Sequence, residues 1–115
     1  MMQTRIKHLV TRDDTSRAFA DHPRLVVAAG RWGPMCIPVY KAMEELEDED
    51  RYAGVAFRVV EFDLPAAIPI REARACGSFR GLPFVLYVRD GEIAHATSSI
   101  QTKDQIAALI DRHLG

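Results

Sequence analysis

The side chains best suited to chemistry in this sequence are the thiols of its two cysteines, Cys36 and Cys76. A thiolate is a strong nucleophile, and a helix N-terminus favours it over the thiol. Residues 30–34 have turn-forming chemistry and precede a helical pattern, so we expect Cys36 at or just inside a helix N-terminus. Cys36 is therefore the candidate catalytic residue, and a small buried thiol is the alternative interpretation.

The cysteine spacing predicts neither a disulfide framework nor a zinc site. The four histidines fall on separate predicted elements, so we expect no metal. Reduced thiols are the default in the cytosol. A bridge between Cys36 and Cys76, or from Cys76 to another chain, would require Cα atoms within roughly 7 Å. The sequence leaves that distance open, and a packed thiol at a helix end is the alternative for Cys76.

The composition is that of one ordinary globular domain, which we assign to residues 1–115. The chain is 48% hydrophobic and 27% charged, with a formal net charge of -1. Scattered basic residues and a near-zero charge argue against nucleic acid as a partner. The longest apolar stretches, 25–30 and 82–88, are too short to span a bilayer, and the N-terminus lacks the apolar core of a signal peptide. We therefore expect a cytoplasmic protein without membrane association.

The elements that must position Cys36 follow from hydrophobic periodicity and from turn residues. Five strands are predicted, over residues 5–10, 25–29, 55–62, 84–88 and 92–97. Four helices are predicted, one ending near residue 20 after capping residues 11–14, one over 39–46, a weaker one over 70–76, and one from 102 to 114. The order βαβαβαββα predicts an α/β fold, a central mixed β-sheet with helices on both faces.

Particular residues support these assignments. The continuous apolar run 25–29 suits a central strand that is covered on both faces. Asp90-Gly91 signals a tight hairpin. Thr102 with Gln105 three residues later resembles a capping box at the start of the last helix.

Four features, in this order, resemble the thioredoxin family: the apolar strand 25–29, the turn Trp32-Gly33-Pro34-Met35-Cys36, the segment Arg80-Gly81-Leu82-Pro83, and the hairpin at 90–92. Together they cover most of the chain, and the resemblance implies a thioredoxin-like fold. The third segment resembles the family's Arg-Gly-Ile-Pro, whose proline follows a cis peptide bond and faces the active-site turn. The resemblance therefore implies that Pro83 is cis, whereas a strand-opening trans proline would be the ordinary expectation.

The active turn departs from the family's Trp-Cys-Gly-Pro-Cys. In one alignment, residues 33–36 lie under Cys-Gly-Pro-Cys, so that a glycine replaces the nucleophile and Cys36 is the resolving thiol. In the other, Gly33-Pro34 matches the family's Gly-Pro and Pro38 matches the proline that kinks the following helix, which requires about three residues to be missing. Under neither alignment is there a Cys-x-x-Cys, so the chain is expected to lack independent dithiol exchange.

The family's central strand usually holds a buried aspartate that assists proton transfer, often paired with a lysine. Counting back from Trp32 places Val27 at the aspartate position, and the lysine position falls near Val59. We therefore expect an apolar pair in place of an ionisable one. Without proton transfer, a buried charge would be only a desolvation cost.

Two functions from different classes remain. In the first, the protein is a binding module of cytosolic thiol homeostasis that holds a protein or peptide segment in an apolar groove. The residues assigned to that groove are Trp32, Gly33, Pro34, Leu82, Pro83 and Phe84. In the second, Cys36 is a single working thiol whose mixed disulfides are resolved by an external thiol or reductase. A thioredoxin-reductase-like flavoprotein is then a partner by family association, and neither function implies a bound cofactor.

Overall fold

The structure, a computed structural model, describes residues 4–31, 33–73, 81–98 and 101–115. Within these ranges, five strands form one sheet, in the order β1-β3-β2-β4-β5. Their bounds are β1 Lys7–Leu9, β2 Arg24–Gly30, β3 Ala56–Glu61, β4 Phe84–Arg89 and β5 Glu92–Ser98. The strands β1, β3 and β2 are parallel, and β4 and β5 continue the sheet in antiparallel fashion. The mixed sheet with β2 at its centre is confirmed.

In the part of the chain that the structure describes, four α-helices connect or follow these strands. Their bounds are α1 Arg12–Asp21, α2 Ile37–Glu47, α3 Ile68–Glu72 and α4 Lys103–His113. Short 3-10 turns cover Asp50–Tyr52 and Pro65–Ala67. The third helix was predicted over 70–76, but it begins at Ile68. Pro69 lies in its first turn, where backbone N–H groups have no partner within the helix, so a residue without an N–H is tolerated there. Residues 74–76 of that prediction lie outside the described residues.

The chemistry predicted for the helix starts and the hairpin is present. The hydroxyl of Thr102 accepts from the Gln105 N–H at 3.2 Å, and the Gln105 side chain accepts from the Thr102 N–H at 2.9 Å. Thr11 and Asp14 form the same reciprocal pair at the start of α1. In the hairpin, φ is 52° at Asp90 and 84° at Gly91. Positive φ at both central residues is the backbone of a two-residue β-hairpin.

The two faces of the sheet bury separate apolar clusters, because neighbouring strand residues point to opposite faces. The first cluster, under α2 and α4, contains Cys36, Ala28 and Val59. The second, under α1 and α3, contains Val27 and Phe84. Helices cover both faces, as the element order predicted.

An aromatic contact joins the end of α4 to β5. The rings of His95 and His113 stack with centroids 4.4 Å apart and planes 5° apart, and His95 also lies 5.9 Å from the ring of Tyr87. Burial, with the nearby charges of His113 and Arg112, lowers the pKa of His95. The neutral ring is therefore the form that fits the folded state.

Stability is expected to fall as the pH is lowered from 7 to 5. The unfolded chain takes up a proton on His95 as the pH passes its ordinary pKa of about 6.5, while the folded state resists that proton until lower pH. Urea unfolding midpoints measured across this range test the expectation, with His95→Gln as the matched variant. If the urea midpoint of His95→Gln fell equally between pH 7 and pH 5, His95 would not be the cause.

Candidate functional site

The candidate site lies where β2 ends and α2 begins. Gly33, Pro34 and Met35 form a turn in which the Gly33 carbonyl accepts from the backbone N–H groups of Cys36 and Ile37, both at 3.0 Å. Pro34 is exposed, and the Met35 side chain is 55% exposed. Among the described residues, Met35 and Val10 are the exposed large hydrophobic side chains. The binding set predicted from the sequence did not include Met35.

Cys36 is the N-cap residue of α2, and its exposed fraction is 4%. Its helix-terminal position agrees with the sequence prediction, but its thiol packs into the cluster under α2. A Cβ built on Gly30 would overlap the Tyr40 hydroxyl oxygen and lie 3.0 Å from the Cys36 Sγ. The absence of a side chain at Gly30 thus makes room for both groups.

Tyr40 lies beside this buried thiol. Its side chain is 1% exposed, and its hydroxyl donates to the Arg31 carbonyl oxygen at 3.1 Å. Burial raises the pKa of Tyr40, and its interaction with Cys36 raises it further. The buried phenol and the buried thiol lie beside each other in the cluster under α2.

Charged side chains surround the outer edge of the turn. Arg31 binds Asp63 through two hydrogen bonds, Nε to Oδ2 at 3.1 Å and Nη2 to Oδ1 at 2.9 Å. The contact lowers the pKa of Asp63. The guanidinium groups of Arg31 and Arg71 lie 5.8 Å and 5.1 Å from the ring centroid of Phe62. The pair formed by Arg31 and Asp63 is exposed, so its net contribution to stability is small.

The segment before β4 reaches the same end of the sheet. Ala29 pairs with Phe84, so Pro83 lies opposite the last residue of β2, Gly30. The Leu82–Pro83 peptide bond is cis. Pro83 is buried, and Leu82 is half-buried against both apolar clusters. The structure therefore brings Leu82 and Pro83 to the end of the sheet where the turn at Gly33 and Pro34 also lies.

Two details of the sequence interpretation are wrong. Phe84 was assigned to the groove, but it is 1% exposed and faces the α1 side, because strand alternation turns its side chain into the second cluster. Val27 and Val59 do not form a pair, since they face opposite sides of the sheet. The residue in register with Val59 on the Cys36 side is Ala28. The position facing the thiol is still apolar.

Three residues of the sequence interpretation, Trp32, Cys76 and Arg80, lie outside the described residues. The bridge between Cys36 and Cys76 therefore stays a prediction. In the described part of the chain, no group of three or more histidine, cysteine or acidic side chains is arranged to hold a metal ion. None of the described helices has the length and apolar character needed to cross a membrane.

Known thioredoxins share this fold and part of this sequence. Thioredoxin of Bacillus subtilis (strain 168) is 26% identical over 89 residues, which cover 77% of this chain and 83% of that protein. A mutant thioredoxin from Halobacterium salinarum NRC-1 matches with a TM-score of 0.78 at 16% identity, over 100% of this chain and 96% of its own. Fasciola hepatica thioredoxin matches with a TM-score of 0.73 at 22% identity, over 94% of this chain and 99% of its own. No protein-family model matches the chain.

The architecture is therefore the α/β fold of thioredoxins, with the turn into α2 and the Pro83 segment at one end of the sheet. Together with the sequence relative, this confirms the resemblance to thioredoxins that the sequence predicted.

Proposed function

We propose that this protein acts in cytosolic thiol homeostasis as a binding module, holding a protein or peptide partner at the turn into α2 without performing dithiol exchange alone. The binding residues are Gly33, Pro34, Met35 and Leu82, with Pro83 supporting them from the buried side. Trp32 joins this set on sequence grounds.

The chemistry of the turn supports the loss of dithiol exchange. That reaction needs one thiolate to attack a substrate disulfide and a second to attack the resulting mixed disulfide, which releases reduced substrate and forms an internal bridge. The turn supplies only Cys36, because the other cysteine is Cys76. No cysteine is therefore placed three residues from Cys36 to resolve a mixed disulfide.

The observation that carries the proposal is the burial of Cys36. A nucleophilic thiol needs access to its substrate, yet this one is 4% exposed and packs into the cluster under α2. The exposed apolar surface beside it belongs to Met35 instead. Methionine is flexible and polarisable, which suits contact with apolar segments of varied shape. The turn is thus better equipped to bind than to react.

A second candidate function is supported by the place of Cys36 at the N-cap of α2, where the helix dipole favours a thiolate. Here the Cys36 thiolate attacks a disulfide, forms a mixed disulfide and releases one substrate thiolate. An external thiol then attacks the mixed disulfide, restores the Cys36 thiolate and leaves bridged to the remaining substrate sulfur. A thioredoxin-reductase-like flavoprotein is the class of partner that would reduce the resulting disulfide.

A turnover assay separates these functions. Wild type and Cys36→Ser are incubated with a protein disulfide and glutathione as the reductant, and thiol release is followed. We expect both proteins to match the rate without protein, because the buried thiol does not reach the disulfide. Turnover by wild type that Cys36→Ser loses would refute the binding-module proposal and select the single-thiol function.

Met35→Ser is expected to weaken partner binding at least tenfold, because it removes the exposed apolar contact of the turn. A peptide selected against the wild-type protein from a display library supplies the ligand, and fluorescence anisotropy gives its Kd. The matched control is Val10→Ser, which changes the other exposed large hydrophobic side chain of the described residues, at 41% exposure. Equal affinities of the two variants would contradict binding at the turn.

A further inference from the structure

A half-buried arginine lies on the opposite side of the sheet from Cys36. Arg58 belongs to the inner strand β3, in register with Lys7 on β1 and with Val27 on β2. Residues in register on neighbouring strands share a face, so Lys7 and Arg58 lie side by side on the face covered by α1. Two cations in this position repel each other unless an anion lies near them.

The contacts of Arg58 do not neutralise its charge. Its Nη1 donates to the Phe57 carbonyl at 2.8 Å, and its Nη2 lies 3.0 Å from the His22 Nε2. Because a guanidinium only donates, the His22 Nε2 accepts and the ring hydrogen is on Nδ1. In the described parts of the chain, the ion pairs involve neither Lys7 nor Arg58. Several Arg58 N–H groups are therefore left for a ligand.

These groups line an open pocket of about 270 Å³ between the end of α1 and the strands β1 and β3. Its lining residues include three with cationic side chains, Lys7 on β1, Arg17 on α1 and Arg58 on β3. Arg17 also pairs with Asp13 at 2.7 Å. The cations come from three elements, which surround a ligand better than one flat row of lysines would.

Two carboxylates also line the pocket, and neither forms an ion pair with Arg58. Asp14 accepts from the backbone N–H groups of Val10 and Thr11 at 3.0 and 3.1 Å, so it is engaged in capping α1. Asp21, the last residue of α1, is exposed and forms no ion pair with a described residue. Both carboxylates lower the positive potential of the pocket, so binding of an anion depends on direct hydrogen bonds from Lys7 and Arg58.

We propose that this pocket binds a phosphate group. A guanidinium fork matches the oxygens of phosphate, and lysine adds a point charge. A tetrahedral dianion offers acceptors in several directions at once, as donors from a sheet and a helix require, whereas a carboxylate offers two coplanar oxygens and one charge. The site is on the other face of the sheet from Cys36 and does not depend on the proposed partner binding.

The test is a ¹H–¹⁵N NMR titration of the full chain with inorganic phosphate, with chloride holding the ionic strength constant. We expect saturable shifts at Lys7, His22 and Arg58. Lys7→Ala should weaken the phosphate affinity at least fivefold, while Lys41→Ala should leave it within twofold. Lys41 is the matched control, because it is an exposed lysine on α2, which covers the opposite face. Shifts that grow without saturation, or that both variants alter equally, would overturn the proposal.

Further measurements identify the source of the phosphate group and test whether the Arg58 fork and a tetrahedral ligand are required. Arg58→Lys keeps the charge but loses the fork, so we expect at least a fivefold loss of affinity even if Arg58→Gln proves too unstable to study. Acetate that binds as tightly as phosphate would overturn the assignment to a tetrahedral dianion. A blocked phosphoserine peptide that binds tenfold tighter than inorganic phosphate identifies a phosphorylated chain as the ligand, and equal affinities identify the free ion.

Discussion

Gly30→Ala is expected to lower the free energy of unfolding by about 2–3 kcal/mol, the upper part of the range for overpacking a core. The added Cβ would overlap the Tyr40 hydroxyl oxygen and lie 3.0 Å from the Cys36 Sγ. The Tyr40 ring is 1% exposed and its hydroxyl is bound to the Arg31 carbonyl, so it has little room to move aside. Urea denaturation followed by circular dichroism measures the loss.

The double variant Gly30→Ala/Tyr40→Phe identifies the cause. Tyr40→Phe alone should cost about 1 kcal/mol, because it removes one hydrogen-bonding hydroxyl. It also removes the atom that the new methyl group meets, so the double variant should be at least about 1 kcal/mol more stable than the sum of the single changes predicts. Gly54→Ala is the control, since nothing lies within 4 Å of a Cβ there. If the losses of unfolding free energy of the two single variants simply added in the double variant, the proposed contact between the new methyl group and the Tyr40 hydroxyl would be contradicted.

Native Cys36 is expected to react with iodoacetamide at least about a hundredfold more slowly than the same thiol in urea, because labelling requires local opening of the chain. The thiol packs beneath α2 and is 4% exposed. Peptide mass spectrometry reads Cys36 separately from Cys76. The rate should rise as denaturant is added below the unfolding transition.

The adjacent position supplies the control for this measurement. Met35 is 55% exposed, so a thiol introduced by Met35→Cys should react at the rate of a small model thiol. If native Cys36 reacted as fast as that introduced thiol, the thiol would be accessible and the single-thiol function would replace the binding module.

Local chemistry was enough to predict most of the fold. The capping boxes at Thr11 and Thr102 and the positive φ of Asp90-Gly91 involve residues a few positions apart, so the sequence contains the whole interaction. The central place of β2 followed from its apolar run, because only a strand covered on both faces is apolar throughout. These signals do not depend on the rest of the chain.

The details of the site depend on contacts between distant segments. Counting back from Trp32 assigned Val27 to the position facing the thiol, but the register of β2 with β3 assigns Ala28, and one residue of offset moves a side chain to the other face. Phe84 was misplaced for the same reason. The contact of Tyr40 with Cys36 depends on the space above Gly30, which no spacing rule in the sequence reveals.

The two outer strands of the sheet limit how another polypeptide can attach. On one side β1 is three residues long, and on the other the pairing of β4 with β5 shifts register between Tyr87 and Val88. Short or bulged edge strands are poor templates for backbone pairing with a strand of another chain. Such edge strands disfavour fibril-like stacking of copies, and under the proposed function they leave the turn into α2 for contact with a partner chain.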